Sequence, residues 1–387
     1  MDISQLIFLN FVAMKKVYLD NASTTAIRAE VIQEMTKIMT NDYGNPSSTH
    51  SFGRNAKSIV ELSRKSIAKS INATAQEIIF TSCATEANNW ILRSAVVDLK
   101  VERIISSKIE HHAVLDTIKA LQLEYKIQVD FVALKPNGEI DLTNLVELLS
   151  KEGKTLVSLM HVNNEIGTIL DLDKVSLICQ QSKALFHSDA VQSVGKTTID
   201  LQMLPIDFIV ASAHKFHGPK GVGFAFIRKN SGLQPIFFGG EQEKGLRAGT
   251  EAVHQIAGMA KALELSCFNL ETEKTSVLAL KKYLIERLEK DFPSFKINGE
   301  EAGFYTLLNV LLPLPEEKTA MILFHLDMKG IAVSRGSACQ SGSQKPSHVL
   351  AEILSKEDLR KPSLRISFSH YNTKEDIDIL VEALKTL

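Results

Sequence analysis

The chain has 387 residues, more than a single hydrophobic core usually holds, so two domains are the first expectation. Its 44 basic and 45 acidic side chains leave a net charge of −1 without long blocks of either sign, which argues against a nucleic-acid partner. The four cysteines form no CxxC pair, so the sequence indicates neither a metal site nor a disulfide framework and is typical of a reducing cytoplasm.

The N-terminal segment is apolar from Leu6 to Met14, but no basic residue precedes it and it is too short to span a bilayer. We therefore expect neither an export signal nor a membrane partner. Met14 would also serve as a start, so the first thirteen residues are expected to be a loose extension or the product of an upstream start codon.

Short β-rich runs alternate with helical patterns from about Val31 to Leu263, which predicts an α/β domain with a mostly parallel central sheet and covering helices. Strands are predicted at 78–81, 103–106, 128–131, 156–160, 184–187, 208–211 and 223–226. Helices are predicted near 87–99, 114–123, 142–150 and 174–182.

The pattern changes from about Cys267 onward, where a long Lys/Glu/Leu helix leads into mixed helix and strand, and we expect the domain boundary inside the helix predicted over 253–265. We expect a large domain over 28–262 and a smaller α+β domain over 263–387. The N-terminal segment 1–27 is expected to pack with the smaller domain.

A lysine follows the predicted strand 208–211, within the run Ser212-Ala213-His214-Lys215. A lysine amine is able to form a Schiff base, and neighbouring hydroxyl and imidazole groups are able to hold a phosphate. Pyridoxal phosphate needs both features. A solvated lysine in a surface loop is an equally good explanation of this stretch alone.

Polar residues also follow two other predicted strands. Ala84 and Thr85 open a helix, where free backbone N–H groups and the helix dipole favour a phosphate. An ordinary Ser or Thr N-cap, with Glu86 in the first turn, is the alternative. Asp189 follows the strand at 184–187, where a carboxylate would pair with a protonated pyridine nitrogen or simply cap the next turn.

Two further side chains have the chemistry of such a site. His111 and His112 begin a helix about 100° apart, so we expect only one of them to stack on a flat ring and exchange protons. Arg365 lies in an apolar, strand-like run, where its guanidinium would bind a substrate carboxylate through two hydrogen bonds. A buried structural ion pair is the competing explanation for Arg365.

Cys339 stands in a loop of small polar residues, Ser334 to Ser343, with little to bury it. Free cysteines are usually buried, so an exposed thiol suggests a chemical role. Cys179 and Cys267 lie in apolar helical patterns and are expected to be inert core residues.

Taken in order, these motifs resemble the cysteine desulfurases that serve iron–sulfur cluster assembly and nitrogen fixation, pyridoxal-phosphate enzymes of aminotransferase fold type I. The resemblance runs from about Val17 to Asp378. Its landmarks are Leu19-Asp20-Asn21-Ala22, Gly44-Asn45-Pro46, Ala84-Thr85-Glu86, Glu110-His111-His112, Asn163-Asn164-Glu165, Asp189-Ala190-Val191-Gln192, the lysine loop, Arg247-Ala248-Gly249-Thr250 and Gly336-Ser337-Ala338-Cys339.

The resemblance implies that the cofactor is pyridoxal 5′-phosphate and that the enzyme converts L-cysteine to L-alanine, leaving a persulfide on Cys339. It implies a Schiff base on Lys215, with the other cofactor contacts made by Asp189, Gln192, His111, Ala84, Thr85, Ser212, His214 and Asn164. Thr250 would reach the phosphate from a second subunit, so a homodimer is implied. Asn164 and Arg365 would orient the substrate.

The sulfur would pass to an acceptor or iron–sulfur scaffold protein, or serve transfer RNA thiolation. Three alternatives stay open: a selenocysteine lyase, another class-V aminotransferase, and a non-catalytic dimerisation or scaffold partner. Two positions depart from the family pattern. Cys83 stands where glycine is usual and would be strained if the turn needs a positive φ, and Glu241 has no assigned role.

Overall fold

The computed structural model describes residues 15–336 and 346–387. The predictions for residues 1–13 and for Cys339 therefore lie outside the described residues. Over the described ranges, no helix combines the length and the apolar character that crossing a membrane requires.

The large sheet contains all seven strands predicted from the β-rich runs. They are β2 (Ile78–Thr81), β3 (Arg103–Ser106), β4 (Gln128–Phe131), β5 (Thr155–Ser158), β6 (Leu185–Asp189), β7 (Phe208–Ser212) and β8 (Gly223–Ile227); the first strand of the chain, β1 (Val17–Tyr18), lies elsewhere. Their order across the sheet is β2-β8-β7-β6-β5-β3-β4, and only β8 runs antiparallel to its neighbours. The predicted mostly parallel α/β sheet is confirmed.

Helices cover both faces of this sheet. They are α1 (Ala29–Asn41), α2 (Ser51–Ser70), α3 (Ala84–Val97), α4 (His112–Tyr125), α5 (Leu142–Leu149), α6 (Leu172–Gln181) and α7 (Val253–Phe268). The central strands are apolar on both sides because alternate residues point to opposite faces: Ile105 and Val157 pack in one core cluster, and Ile104 and Leu156 in another.

A second, smaller sheet lies in the C-terminal part of the chain. Its strands β9 (Lys296–Ile297), β10 (Leu307–Leu311) and β12 (Ser363–Ser367) are antiparallel, in the order β12-β10-β9. The helices of this part are α8 (Leu270–Asp291), α9 (Ile322–Met328), α10 (His348–Ile353) and α11 (Lys374–Leu384), and β11 is Ile331–Ala332. Strand β1 pairs in parallel with β11, so the N-terminal segment joins the second hydrophobic core.

The carboxyl ends of β2, β6 and β7 meet at one edge of the large sheet. Both β2 and β7 pair antiparallel with β8, so they run in the same direction, and β6 runs parallel to β7. At Gly223 a Cβ atom would lie 2.5 Å from the Ala211 carbonyl oxygen, so glycine permits the close approach there. Ligands of open α/β sheets bind at this edge.

Candidate active site

A cavity of about 210 Å³ opens at this edge of the sheet. Its wall contains each described residue predicted for the site except Thr250: Ala84, Thr85, His111, Asn164, Asp189, Gln192, Ser212, His214, Lys215 and Arg365. Thr250 is exposed and lies outside the wall. Segments more than 300 residues apart in sequence thus contribute to one pocket, as Ser23 and Arg365 do (|i−j| of 342).

Lys215 ends a short 3₁₀ turn, Ala213–Lys215, that directly follows β7. Its Nζ donates hydrogen bonds to the carbonyl oxygens of Ala22 (2.6 Å) and Ser23 (2.9 Å). Ala22 and Ser23 belong to the loop after β1. The lysine amine is therefore held inside the cavity rather than solvated on the surface, which removes the alternative considered for this loop.

Asp189 is the last residue of β6 and is 5% exposed. Its Oδ2 accepts a hydrogen bond from Asn88 Nδ2 at 2.8 Å, and its Oδ1 accepts one from the Val191 N–H at 3.1 Å. Asn88 is completely buried on α3 and was not predicted from the sequence. The two donors fix the carboxylate plane while it lines the cavity.

The first turn of α3 faces the same cavity. Cys83 is the N-cap residue of this helix, but its side chain accepts no hydrogen bond from the N–H groups of the first turn. The Ser or Thr N-cap considered as the alternative is therefore absent at this helix, although Glu86 does lie in the first turn and accepts a hydrogen bond from the Ser82 N–H at 2.9 Å. The φ of Cys83 is −173°, an extended conformation open to any residue, so the positive φ that would strain a side chain at this position is not present.

Two more polar groups lie at this end of the cavity. Ser212 is 3% exposed, and His214 Nδ1 lies 3.1 Å from Thr24 Oγ1. Burial, with a contribution from Lys215, lowers the pKa of His214 to about 3, so its imidazole is neutral at physiological pH. A hydroxyl, a neutral imidazole and a helix N-terminus form a donor set that suits a phosphate.

His111 is the N-cap residue of α4, and its Nδ1 accepts a hydrogen bond from the Ala113 N–H at 3.0 Å. Because Nδ1 is the acceptor, the proton of the neutral ring is on Nε2. Burial lowers the pKa of His111. His112 is outside the cavity wall and contacts the ring of His348, with centroids 4.5 Å apart.

Arg365 lies in β12 and is 1% exposed. Its Nη1 donates to the Asn164 carbonyl oxygen at 3.0 Å, and its Nη2 donates to Asp20 Oδ1 at 2.9 Å and to Ser23 Oγ at 2.6 Å. The guanidinium thus forms a buried ion pair with Asp20 and also lines the cavity, so both explanations given for it describe part of its environment.

Glu243 is a buried residue that the motifs did not reveal. Its carboxylate accepts from Arg64 Nη1 and Nη2 at 2.6 and 2.7 Å and from the Phe80 N–H at 2.7 Å, and its backbone φ is +48°. This pair holds the turn that leads to Thr250 against α2 and β2.

Glu241 is exposed and has no evident role.

The class-V aminotransferase family model matches residues 17–380. The chain belongs to the cysteine desulfurases of this family. A cysteine desulfurase IscS of Dictyoglomus turgidum is 40% identical over 375 residues, covering 96% of this chain and 94% of the relative, and one of Clostridium botulinum is 39% identical with the same coverage. The resemblance stated from the motifs and the enzyme class are confirmed.

Solved structures agree with this assignment. A NifS-like protein from Rickettsia africae has a TM-score of 0.85 at 33% identity and covers 96% of this chain and 99% of its own. The structure described as SspA in complex with cysteine has a TM-score of 0.80 at 30% identity, covering 92% and 100%. The predicted fold type I architecture is confirmed.

The cofactor of this family, pyridoxal phosphate, fits the residues of the cavity. A buried carboxylate, a lysine amine, an imidazole and a helix N-terminus without a side-chain cap line the same 210 Å³ space. These are the groups that its pyridine nitrogen, aldehyde, ring and phosphate require. No cluster of His, Cys, Asp or Glu suited to a metal ion occurs in the described part of the chain.

Proposed function

We propose that this cysteine desulfurase removes sulfur from L-cysteine, releases L-alanine and carries the sulfur on Cys339. The observation that carries the proposal is the convergence of Lys215, Asp189 and Arg365 on one cavity. A lysine amine, an electron-sink partner and a carboxylate-binding guanidinium are the three groups that an amino-acid substrate needs. The cysteine then distinguishes sulfur transfer from other reactions of this fold.

The family resemblance implies which residues would hold pyridoxal phosphate, and their shared cavity supports it. Lys215 would bind it covalently through Nζ, Asp189 would pair with the pyridine nitrogen, and His111 would stack on the ring. Gln192 would contact the phenolic oxygen, and Ala84, Thr85, Ser212 and His214 would surround the phosphate. When bound, the cofactor withdraws electrons from the substrate Cα and weakens the bond between Cβ and sulfur.

Arg365 and Asn164 orient the substrate. The Nη atoms of Arg365 donate to Asp20, Ser23 and the Asn164 carbonyl, while Nε has no hydrogen-bond partner in the described structure. Binding of the substrate carboxylate would satisfy the remaining donor capacity of this buried cation. Lys215 Nζ would take the proton from Cα, and His111 would donate a proton from Nε2.

Cys339 is the residue that takes the sulfur from the substrate. Its thiolate attacks the sulfur of the substrate, so an S–S bond forms while the Cβ–S bond breaks. The electron pair of the broken bond stays with the substrate carbon, which takes a proton at Cβ to become alanine. The product on the protein is a Cys339 persulfide, ready for nucleophilic attack by an acceptor thiol.

Thr250 would complete the phosphate site of a second subunit in a homodimer. Its exposure outside the cavity of its own chain supports this role, as does Phe238 nearby, which is 89% exposed. The sulfur would leave to an acceptor or scaffold protein for iron–sulfur clusters or transfer RNA thiolation, in the cytoplasm. We also place the domain division near residue 262, between a large domain over 28–262 and a smaller one over 263–387. The described residues 15–27 of the N-terminal segment are assigned to the smaller domain, since Val17 and Leu19 belong to its core.

The direct test is incubation of the protein with L-cysteine and a thiol reductant, with alanine and sulfide measured together. Equal amounts of both are expected, and Cys339→Ala is expected to abolish both. An aminotransferase would instead convert keto acids and would retain its turnover in C339A. Alanine without matching sulfide, or visible cofactor absorbance without either product, would contradict the proposal.

A further inference from the structure

Lys196 is a second buried lysine directly behind the cavity wall. It is 9% exposed and lies in the turn segment after β6, and its carbonyl oxygen accepts a hydrogen bond from the Tyr305 hydroxyl at 3.1 Å. In the part of the chain that the structure describes, no carboxylate forms a salt bridge with its Nζ. Buried lysines without an acidic partner are costly, so a lysine kept at this position calls for a reason.

A hydrogen-bonded chain joins Lys196 to Lys215. The Lys196 Nζ donates to Gln192 Oε1 at 3.5 Å, and Gln192 Nε2 donates to the Ala22 carbonyl oxygen at 2.9 Å. The same carbonyl accepts from Lys215 Nζ at 2.6 Å. Because an ammonium has only donors and a carbonyl only acceptors, the Gln192 amide has one allowed orientation, which leaves its second N–H for the cavity.

The surroundings of Lys196 disfavour the protonated form of its amine. Burial and then the like charge of Lys215 lower the pKa of Lys196 to about 7. His214 and His217 face it as well, and burial lowers the pKa of each to about 3, so both are neutral. Lys215 is therefore the cation whose charge Lys196 opposes.

On its other side, Lys196 borders a small cavity that also contains Glu273 and His370. Glu273 is already bound by Arg28, whose Nη2 donates to it at 2.8 Å, and His370 Nδ1 lies 3.4 Å from the same carboxylate. These charges belong to a separate network. Toward the active-site cavity, Lys215 shares the wall with Asp189, His111 and Arg365, which the Lys196 substitutions leave unchanged.

We propose that Lys196 is a positioning residue of the cofactor site: its ammonium holds the Gln192 amide and disfavours a proton on the Lys215 nitrogen. This inference rests on the proposed function only in making Lys215 the residue that holds the cofactor. An unprotonated Lys215 nitrogen is the form able to take a proton from the substrate. A buried cation nearby enlarges the fraction in that form at neutral pH.

The test is a pH titration of the visible absorbance of the cofactor-loaded protein, without substrate. In Lys196→Met the like charge is gone, so the midpoint is expected to rise by about one pH unit. In Lys196→Arg the charge is permanent, so the midpoint is expected at or below that of the parent. If the charge at position 196 sets the midpoint, the midpoint rises in the order Arg, Lys, Met. A purely structural role would shift the midpoints of the Arg and Met variants in the same direction.

Lys281→Met is the matched control. Lys281 is also a buried lysine, and burial lowers its pKa to about 8. Its Nζ, however, donates to the carbonyl oxygens of Gly303 and Phe304 in the smaller core. Its midpoint is expected to equal that of the parent. An unchanged midpoint in K196M would overturn the inference, and so would a midpoint of K196R above the parent if K196M does not fold. Absent cofactor absorbance in the parent would instead refute the proposed function.

Discussion

At the scale of single residues, the site depends on buried polar groups whose partners are specified one by one. Asp189 is fixed by Asn88 and by the Val191 N–H, and His111 by the Ala113 N–H. Each contact restricts the rotation of a group that would face the cofactor. A change in such a partner is therefore expected to alter binding or turnover without removing the chemical group itself.

Asn88→Ala removes the donor to Asp189 Oδ2 and leaves that oxygen in a buried site. A lost hydrogen bond to a buried charged group costs about 1–3 kcal/mol, so we expect cofactor affinity to fall about tenfold or more. Equilibrium titration of the apoprotein with pyridoxal phosphate, followed by absorbance, measures this loss. Asn41→Ala, at an exposed position on α1 whose side chain donates to the Lys37 carbonyl, is the control and should bind normally. Equal affinities of the two variants would refute the role of Asn88.

His111 combines a structural and a chemical role that two substitutions separate. Asn is a good N-cap residue, so His111→Asn should keep the stability of α4 while lowering kcat, whereas His111→Ala should lower both. Burial lowers the pKa of His111 below its ordinary 6.5, so the neutral ring persists down to that pH and only more acidic solutions protonate it. The kcat/KM profile of the parent should therefore show its His111-dependent fall below pH 6.5. A fall centred above this value, or normal turnover in H111N, would contradict the assignment.

At the scale of elements, apolar runs predict the strands well because alternate residues of each strand fill two cores. Ile104 and Ile105 show this alternation in β3. The polar contacts between elements were not predictable in the same way. Asn88 is one amide on an otherwise apolar helix face, and the loop at Ala22 reaches Lys215 across 193 residues of sequence, so no local pattern encodes either contact.

The buried pair of Arg64 and Glu243 is a further contact of this kind, since its partners are 179 residues apart. Arg64→Met leaves a carboxylate buried at 2% side-chain exposure without its cation, which is expected to cost about 3–5 kcal/mol of unfolding free energy. Arg64→Met with Glu243→Gln should cost less than the two single changes added together. Thermal or denaturant unfolding of the three variants measures both effects.

The exposed pair of Arg93 and Glu124 is the comparison, because the Arg93 side chain is 44% exposed and the Glu124 side chain 51% exposed. Arg93→Met is expected to leave the melting temperature almost unchanged. Strict additivity in the Arg64 and Glu243 cycle, or an equal loss in R93M, would show that burial does not distinguish the two pairs.

At the scale of the whole molecule, the cavity is built from both halves of the chain. Arg365 comes from the small sheet, Asp189 from the large one, Lys215 from the turn after β7, and Ala22 from the segment after β1. The sequence predicted the members of this wall through their motifs. It did not predict how the N-terminal segment reaches the wall, through the pairing of β1 with β11 and the hydrogen bonds of Asn21 and Ala22 to Ser367.

A homodimer with shared sites makes a distinctive prediction for mixed subunits. Lys215→Ala and Thr250→Ala should each be impaired alone, the second mainly in cofactor affinity. In a mixed dimer, the T250A subunit keeps its own Lys215 and receives Thr250 from the K215A subunit, so one site is intact. Activity restored on mixing and refolding, to at most half of the parent per dimer, is expected. Monomers in sedimentation, or no recovery on mixing, would refute the shared site.

The central claim is that sulfur from L-cysteine is carried on Cys339. After a single turnover with isotopically labelled L-cysteine, the protein is alkylated, digested and analysed by mass spectrometry. The account predicts one labelled sulfur atom on the peptide that contains Cys339 and none on the peptide of Cys83, the other thiol near the cofactor. Labelled sulfur on Cys83, or alanine formed with no sulfur on either cysteine, would contradict it.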